Sequence, residues 1–341
     1  MHTRPENIFQ PEVSIVVPCF NEECTIKLLL QAILNQTYPL LEIEVVIADA
    51  FSTDQTRKTI NNFAKEHPDL VIKVVDNPER TIPAAINEAV KFSRGIYIIR
   101  LDAHSVPSPN YVERCVDAIS SNKGNVVGGV WDIKAGSKNW IAKSIAAAAA
   151  HPLGVGDALY RYTNQSGVVD TVPFGAFRKD LFIKVGGFDP TLLTNEDYEF
   201  YTRVRKSGGI VWLDPKIRCI YFSRSSLSDL ARQYWRYGFW KFRMLIRYPH
   251  TLRWRQALPP LFVLTILGLG ITSIFFPSIR ILLIMVLGLY LVSLMMASVA
   301  EAIKRHIFSL FLGMPLAMAV MHVSWGAGLI YSMIARKIFG K

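Results

Sequence analysis

The sequence predicts an α/β domain with a mostly parallel sheet, followed by an interfacial helix and C-terminal transmembrane helices. Short β-branched runs alternate with amphipathic helical stretches up to residue 101, the pattern of strands joined by helical crossovers. Three of those runs end abruptly in acids or amides. Strands of an open α/β sheet end that way where they deliver ligands at the C-terminal edge. Beyond residue 257 the composition turns from charged and proline-bearing to nearly unbroken apolar runs.

Residues 13–18 read as a first strand and 22–34 as the helix after it. A second strand at 44–48 leads into a helix at 53–67, for which Ser52 or Thr53 is the expected N-cap. A third strand at 71–75, a helix at 82–92 and a fourth strand at 96–101 continue the alternation. The alanine run at 146–150 reads as a close-packed helix. Residues 227–247 interleave Trp235, Phe239, Trp240 and Phe242 with Arg232, Arg236, Lys241 and Arg243, the composition of an amphipathic helix lying in a membrane interface.

Runs 258–276 and 281–300 are each close to the ~20 residues needed to cross a bilayer. The run 307–335 is longer, with Gly313 and Pro315 near its start, and reads as a short interfacial piece followed by a span. A buried core helix explains one such run but not three in succession. His322, Trp325, Gly326 and Gly328 in the last run fit helix packing. The expected division is a polar domain at 1–225, an interfacial region at 226–256 and a membrane region at 257–341.

Residues 1–12 are polar and contain no apolar signal core, so the polar domain is expected to stay cytoplasmic, anchored to the inner (plasma) membrane by several spans. Arg243, Arg247, Arg253 and Arg255 before the first run, with Lys304 and Arg305 after the second, follow the positive-inside rule. Three spans would place Arg336, Lys337 and Lys341 outside, against that rule, which leaves a re-entrant third run or a different number of spans as the alternatives. The formal net charge of +11 is densest beside the spans and among aromatics, so anionic lipid is the expected partner and nucleic acid is not. Cys19, Cys24, Cys115 and Cys219 form no zinc-type spacing and fit a reducing compartment.

The strand ends share a chemical theme. They are Pro18-Cys19-Phe20-Asn21-Glu22-Glu23, Asp49-Ala50-Phe51-Ser52-Thr53-Asp54 and Arg100-Leu101-Asp102-Ala103-His104. Acids and amides at one sheet edge, beside helix N-termini, suit a phosphate-bearing ligand. Asp102 and His104 can hold a divalent cation that binds a diphosphate; read singly, they equally fit a solvated strand end. There is neither a G-x-G-x-x-G nor a G-x-x-x-x-G-K motif, which removes the dinucleotide and P-loop readings.

Taken in order, these strand ends resemble glycosyltransferase family 2, whose members have a GT-A fold. Further matches are Val172-Pro173-Phe174-Gly175-Ala176-Phe177-Arg178, Val185-Gly186-Gly187-Phe188-Asp189, Asn195-Glu196-Asp197-Tyr198-Glu199 and Arg232-Gln233-Tyr234-Trp235-Arg236-Tyr237-Gly238. They point to the membrane-anchored, succinoglycan-type branch of exopolysaccharide assembly. The resemblance implies that Pro18, Phe20, Asn21 and Glu22 border the base and ribose of a nucleotide-sugar donor. It implies that Asp49 accepts a hydrogen bond from the base, most often uracil. Where the family commonly has Asp-Asp-Gly-Ser, this chain has Asp49-Ala50-Phe51-Ser52, and Phe51 is the alternative contact to the base.

Asp102 and His104 occupy the place of the family's DxD metal motif, with His for the second acid. Imidazole ligates Mn²⁺, whereas Mg²⁺ prefers oxygen, so Mn²⁺ gains weight over Mg²⁺. Asp197 matches the acceptor-side acid and is the candidate general base, with Glu196 its rival; simple capping of a helix through Ser207 is the structural alternative. Gln233, Arg236 and Tyr237 resemble a QxxRW motif with Tyr in the Trp place. Gln233 and Arg236 would then face the donor diphosphate, and Trp235 and Tyr237 the acceptor sugar. The implied activity is inverting transfer of one sugar from a nucleotide-diphospho-sugar, which the resemblance gives as UDP-linked, to a lipid-linked saccharide. A processive synthase, a polyprenyl-phosphate glycosyltransferase and a non-catalytic glycan-binding scaffold are the alternatives.

Overall fold

A computed structural model describes residues 10–339; the first nine residues of the polar N-terminal stretch, and Gly340 and Lys341, lie outside the described residues. Two compact units emerge. One comprises 10–131 and 163–220, the other 132–162 and 221–339.

The first unit carries the expected alternation. Strand β1 (Val13–Cys19), helix α1 (Ile26–Leu34), β2 (Ile43–Asp49), α2 (Thr56–Glu66), β3 (Val71–Asp76), α3 (Ile82–Phe92) and β4 (Tyr97–Arg100) follow in order. Next come β5 (Val106–Pro107) and α4 (Tyr111–Ser120), then β6 (Val126–Lys134), β7 (Gly167–Val168) and β8 (Ala176–Arg178). Helices α7 (Lys179–Val185) and α8 (Glu196–Lys206) and strand β9 (Val211–Phe222) complete the unit. One nine-stranded sheet runs β3-β2-β1-β4-β8-β6-β9-β5, with β7 on β9. Its first four strands are parallel and β8 joins β4 antiparallel, so the sheet is mixed beyond β4. All seven residues of β2 are buried, as a parallel strand covered on both faces requires.

Register places the chemistry. Cys19 pairs with Asp49 and Asp49 with Asp76, so three strands end in line. Both early helices start later than their sequence limits. α1 begins at Ile26 because 21–25 form a turn in which Asn21 has φ 53° and the Glu22 amide donates to the Thr56 hydroxyl at 2.7 Å. α2 begins at Thr56, and Ser52 and Thr53 do not cap it: the Ser52 hydroxyl donates to Asp49 instead, while Asp54 accepts from the Thr56 amide at 2.9 Å.

The second unit is helical: α5 (Trp140–Ala149), α6 (Pro152–Val155), α9 (Leu227–Arg247), α10 (Trp254–Thr272), α11 (Pro277–Arg305) and α12 (Leu310–Phe339). The alanine-rich α5 is buried along Ala146–Ala149 and packs on α12. α9 lies along α12 at backbone distance. A Cβ on Gly238 would stand 2.0 Å from the Trp325 carbonyl oxygen, and one on Gly328 2.3 Å from that of Trp235, so only glycine allows this approach. Among the described residues three helices, α10, α11 and α12, are long and apolar enough to cross a membrane. The third run is one continuous helix rather than an interfacial piece and a span. Pro315 lies inside this helix and leaves the Phe311 carbonyl without its amide partner, yet the helix continues through it, and Gly313 fits against Ser144 of α5.

Candidate active site

At the C-terminal edge of the first unit's sheet, the loops after β1 and β2 are laced together. The Asn21 amide donates to the Ser52 hydroxyl at 2.9 Å, and the Asn21 side-chain oxygen accepts from the Thr53 amide at 2.8 Å. Asn21 and Phe51 both hold left-handed backbone, φ 53° and 59°. Such conformations in non-glycine residues persist where surrounding contacts over-determine them, and they gather at functional sites. Asp49 lies beneath this loop with no exposed surface. Its carboxylate accepts from the Ser52 amide (3.0 Å) and hydroxyl (2.5 Å) and from Arg57 Nε (2.5 Å). Phe51 stands above it, 39% exposed, with the Arg57 and Arg80 guanidinium carbons 5.8 and 5.4 Å from its ring centre. Pro18 is half-buried and Phe20 exposed at the same edge.

The end of β4 meets the start of α8 in an acidic cluster around one guanidinium. Arg100, 4% exposed, reaches Asp102 Oδ1 at 3.1 Å and Glu196 Oε1 at 3.3 Å through Nη2, while Nη1 donates to Asp197 Oδ2. Three carboxylates share one positive charge, so the cluster retains a proton readily. Burial drives the Asp197 carboxyl up to about 7; Arg100 opposes the rise, and Glu196 and Asp102 add to it. Burial alone would weaken the hold of Arg100 on its proton, but Asp197, Asp102 and Glu196 keep it charged. The second Asp197 oxygen, Oδ1, is buried and accepts no hydrogen bond among the described residues. Asn195, at φ 66°, turns the chain into α8, so Glu196 and Asp197 open the helix on the side of Arg100. Behind them the Tyr201 hydroxyl accepts from the Gly175 amide at 3.2 Å, and a Cβ on Gly175 would collide with that hydroxyl.

His104 follows on the same loop. Its Nδ1 lies 3.0 Å from Glu22 Oε1, and Glu22 Oε2 accepts from Thr25. Among the described residues no three or more His, Cys, Asp or Glu side chains converge on a metal-sized site.

Arg100 is a site residue that the motifs of the sequence do not single out. Its signal was there: an arginine closing an otherwise apolar strand, two residues before an acid, is a buried charge that needs partners.

In the second unit, Gln233 donates to the hydroxyls of Tyr221 and Tyr237 at 3.1 and 3.0 Å. Trp235 leaves α9 on another face and packs on Tyr331 of α12, ring centres 5.4 Å apart. Arg236 is exposed. Gln233 and Tyr237 therefore share one cluster, while Trp235 packs on α12.

Comparison with known proteins bears on the family of the chain. Residues 14–186 match the model of glycosyl transferase family 2. The succinoglycan biosynthesis protein ExoA of Rhizobium meliloti (strain 1021) is 33% identical over 248 residues, 72% of this chain and 73% of its own length. A Methanococcus voltae protein named dolichyl N-acetyl-alpha-D-glucosaminyl phosphate 3-beta-D-2,3-diacetamido-2,3-dideoxy-beta-D-glucuronosyltransferase is 28% identical over 323 residues, 92% of this chain and 95% of its own. In fold, the chain is similar to the mannosyltransferase PcManGT from Pyrobaculum calidifontis, solved with GDP-Man and Mn²⁺. The TM-score is 0.60 at 19% identity, over 98% of this chain and 89% of that one.

Proposed function

Because this chain belongs to glycosyl transferase family 2, we propose that it transfers one sugar from a nucleotide-diphospho-sugar, in our reading a UDP-sugar, to a lipid-linked saccharide at the cytoplasmic face of the membrane, with inversion. The observation that carries this is Asp197, a carboxylate with a pKa of about 7 held by Arg100 and next to the strand end that bears Asp102.

A sugar hydroxyl is a weak nucleophile and needs a base to take its proton as it attacks. Asp197 Oδ1 is the accepting oxygen, since Oδ2 is engaged by Arg100. The hydroxyl oxygen bonds to the anomeric carbon while the bond to the diphosphate breaks on the opposite face, so one displacement inverts the centre. Arg100 fixes the carboxylate's aim and, by its charge, keeps Asp197 from rising further.

The donor set at Asp102 and His104 fits a cation shared with the substrate. One carboxylate oxygen and one ring nitrogen leave room for diphosphate oxygens and water, the usual way such ions are held beside phosphates. When bound, the cation would offset the charge developing on the departing diphosphate. Glu22 holds the His104 ring by Nδ1, which assigns ligation to Nε2. The imidazole donor favours Mn²⁺ over Mg²⁺, and the PcManGT structure contains Mn²⁺.

The acceptor reading draws support from the archaeal relative, whose name gives a dolichyl-phosphate-linked sugar as its acceptor, and from three helices able to enter a bilayer. The test is nucleoside-diphosphate release by detergent-solubilised protein, with UDP- and GDP-sugars and polyprenyl-linked saccharides. Release that needs both one donor and the lipid-linked saccharide is expected. Release in no combination, or equal release with a soluble glycan, would overturn the reading.

A further inference from the structure

The second unit buries a positive charge among phenols. Arg161 closes a short 3₁₀ turn, Leu159–Arg161, and is 8% exposed. Its guanidinium carbon lies 5.4 Å from the centre of the Tyr160 ring, and its Nε donates to the Tyr160 hydroxyl at 3.3 Å. Tyr234, Tyr237 and Tyr221 are further phenols near enough to act on it electrostatically. Gln233 bonds the Tyr221 and Tyr237 hydroxyls, which fixes both phenols in place. Tyr234 and Tyr237 meet edge to face, ring centres 5.5 Å apart.

Burial pushes the Tyr234 phenol up to about 12, and Tyr237 above its ordinary value as well, so both stay protonated donors at neutral pH. The cluster thus combines one permanent cation with several O–H groups. Tyr160, Tyr221, Gln233 and Tyr237 are half-buried, so it is reached from their side. A guanidinium flanked by hydroxyl donors suits a tetrahedral oxyanion, which it meets bidentately and in surroundings that strengthen the pairing. The same place is apolar. Tyr234 and Tyr237 belong to the packed cluster of Leu230 with Met314 and Met318 of α12, one of the three membrane-type helices. A phosphate site against such a helix fits a phosphate carried on an aliphatic chain.

We propose that Arg161, with Tyr160, Tyr221, Gln233 and Tyr237 around it, binds the phosphate of a lipid-linked acceptor, whose chain lies along the apolar helices of the same unit. This rests on the acceptor reading above. The donor also carries phosphate, so the test separates the two sources.

The probe is farnesyl phosphate, with farnesol and UDP as comparison ligands, titrated into detergent-solubilised full-length protein and read by tryptophan fluorescence. Wild type should bind farnesyl phosphate about ten-fold or more tighter than farnesol. Arg161→Met should abolish that preference and leave UDP binding intact, and Arg161→Lys should restore part of it. Equal affinity of wild type for farnesol and farnesyl phosphate overturns the proposal without any variant. So does an Arg161→Met protein that keeps the preference, or one that binds lipid normally and loses UDP, which would assign the arginine to the donor. If Arg161→Met does not fold, the volume-preserving pair Tyr221→Phe and Tyr237→Phe should still weaken the preference several-fold, and an unchanged preference overturns the site. A wild type that glycosylates lipid-linked saccharide while Arg161→Met keeps its acceptor KM sinks this site alone. A wild type that uses only soluble glycans sinks the acceptor reading with it.

Discussion

His104 presents Nδ1 to a Glu22 carboxylate oxygen at 3.0 Å, so a residue in the turn after β1 aims one in the loop after β4. An oriented, carboxylate-backed imidazole is the arrangement that strengthens a histidine as a metal ligand. Glu22→Gln should raise the Mn²⁺ concentration for half-maximal activity by about ten-fold or more. A metal titration at saturating donor measures it, and an unmoved midpoint would remove His104 from the ligand set.

Asp197→Asn should lower kcat by about 10²–10⁴-fold with donor binding retained. The base acts ionised, so wild-type kcat should rise with pH through about 7 and level off above it, and Asp197→Asn should lose that limb. The same shift has a stability sign. A carboxyl that binds its proton more tightly when folded contributes stability below its unfolded value of 3.8 and loses that contribution as pH rises through about 7. Steady-state rates and thermal unfolding across pH 5–9 report both.

Arg100→Met leaves three acids in a buried cluster without their cation. Loss of about 3–5 kcal/mol is expected, the usual cost of breaking a buried pair from one side. In whatever protein remains folded, the pH limb of kcat should move to higher pH, since Arg100 holds the Asp197 value down. A thermal melt with a matched pH profile decides; a limb moved to lower pH would contradict this electrostatic account.

Gly238→Ala places a methyl carbon 2.0 Å from the Trp325 carbonyl oxygen, a backbone atom that cannot step aside as a side chain can. Separation of α9 from α12 should cost about 1–3 kcal/mol or more. A lowered melting temperature in detergent is the readout, with Gly268→Ala, where a Cβ meets nothing within 4 Å, as the control.

The early strands and helices were legible because strands covered on both faces read as short apolar runs, as Val45–Ala48 does within β2. α9 was legible to its ends, since the Ser226 hydroxyl caps it by accepting from the Asp229 amide at 3.1 Å and its aromatics and cations mark both faces. The start of α2 was misplaced for a physical reason: Ser52 looks like a cap from sequence, but its hydroxyl is claimed by the Asp49 carboxylate three residues before it. The enclosure of Asp49 by Ser52 and Arg57 was equally out of reach, because Arg57 is a surface-type residue in a helical stretch until the fold brings it back to the strand end. Arg100 was readable as an anomaly within a strand, but its partners Glu196 and Asp197 lie almost a hundred residues on, and no local pattern joins them.

Helix α11 has 29 residues and so rises about 43 Å, while the hydrocarbon layer of an ordinary bilayer is about 30 Å thick. Its apolar side chains, such as Ile281, Leu289 and Met296, are exposed along the length, whereas its last turns carry Glu301, Lys304 and Arg305 in ion pairs. Inserted upright, it would carry that charged end well into the headgroup layer; in a thinner bilayer it must lean. Bilayer thickness is therefore a physical variable for this chain. Reconstitution in short- and long-chain lipids would change the tilt of α11, and through its packing on α12 would strain the scaffold that holds α9.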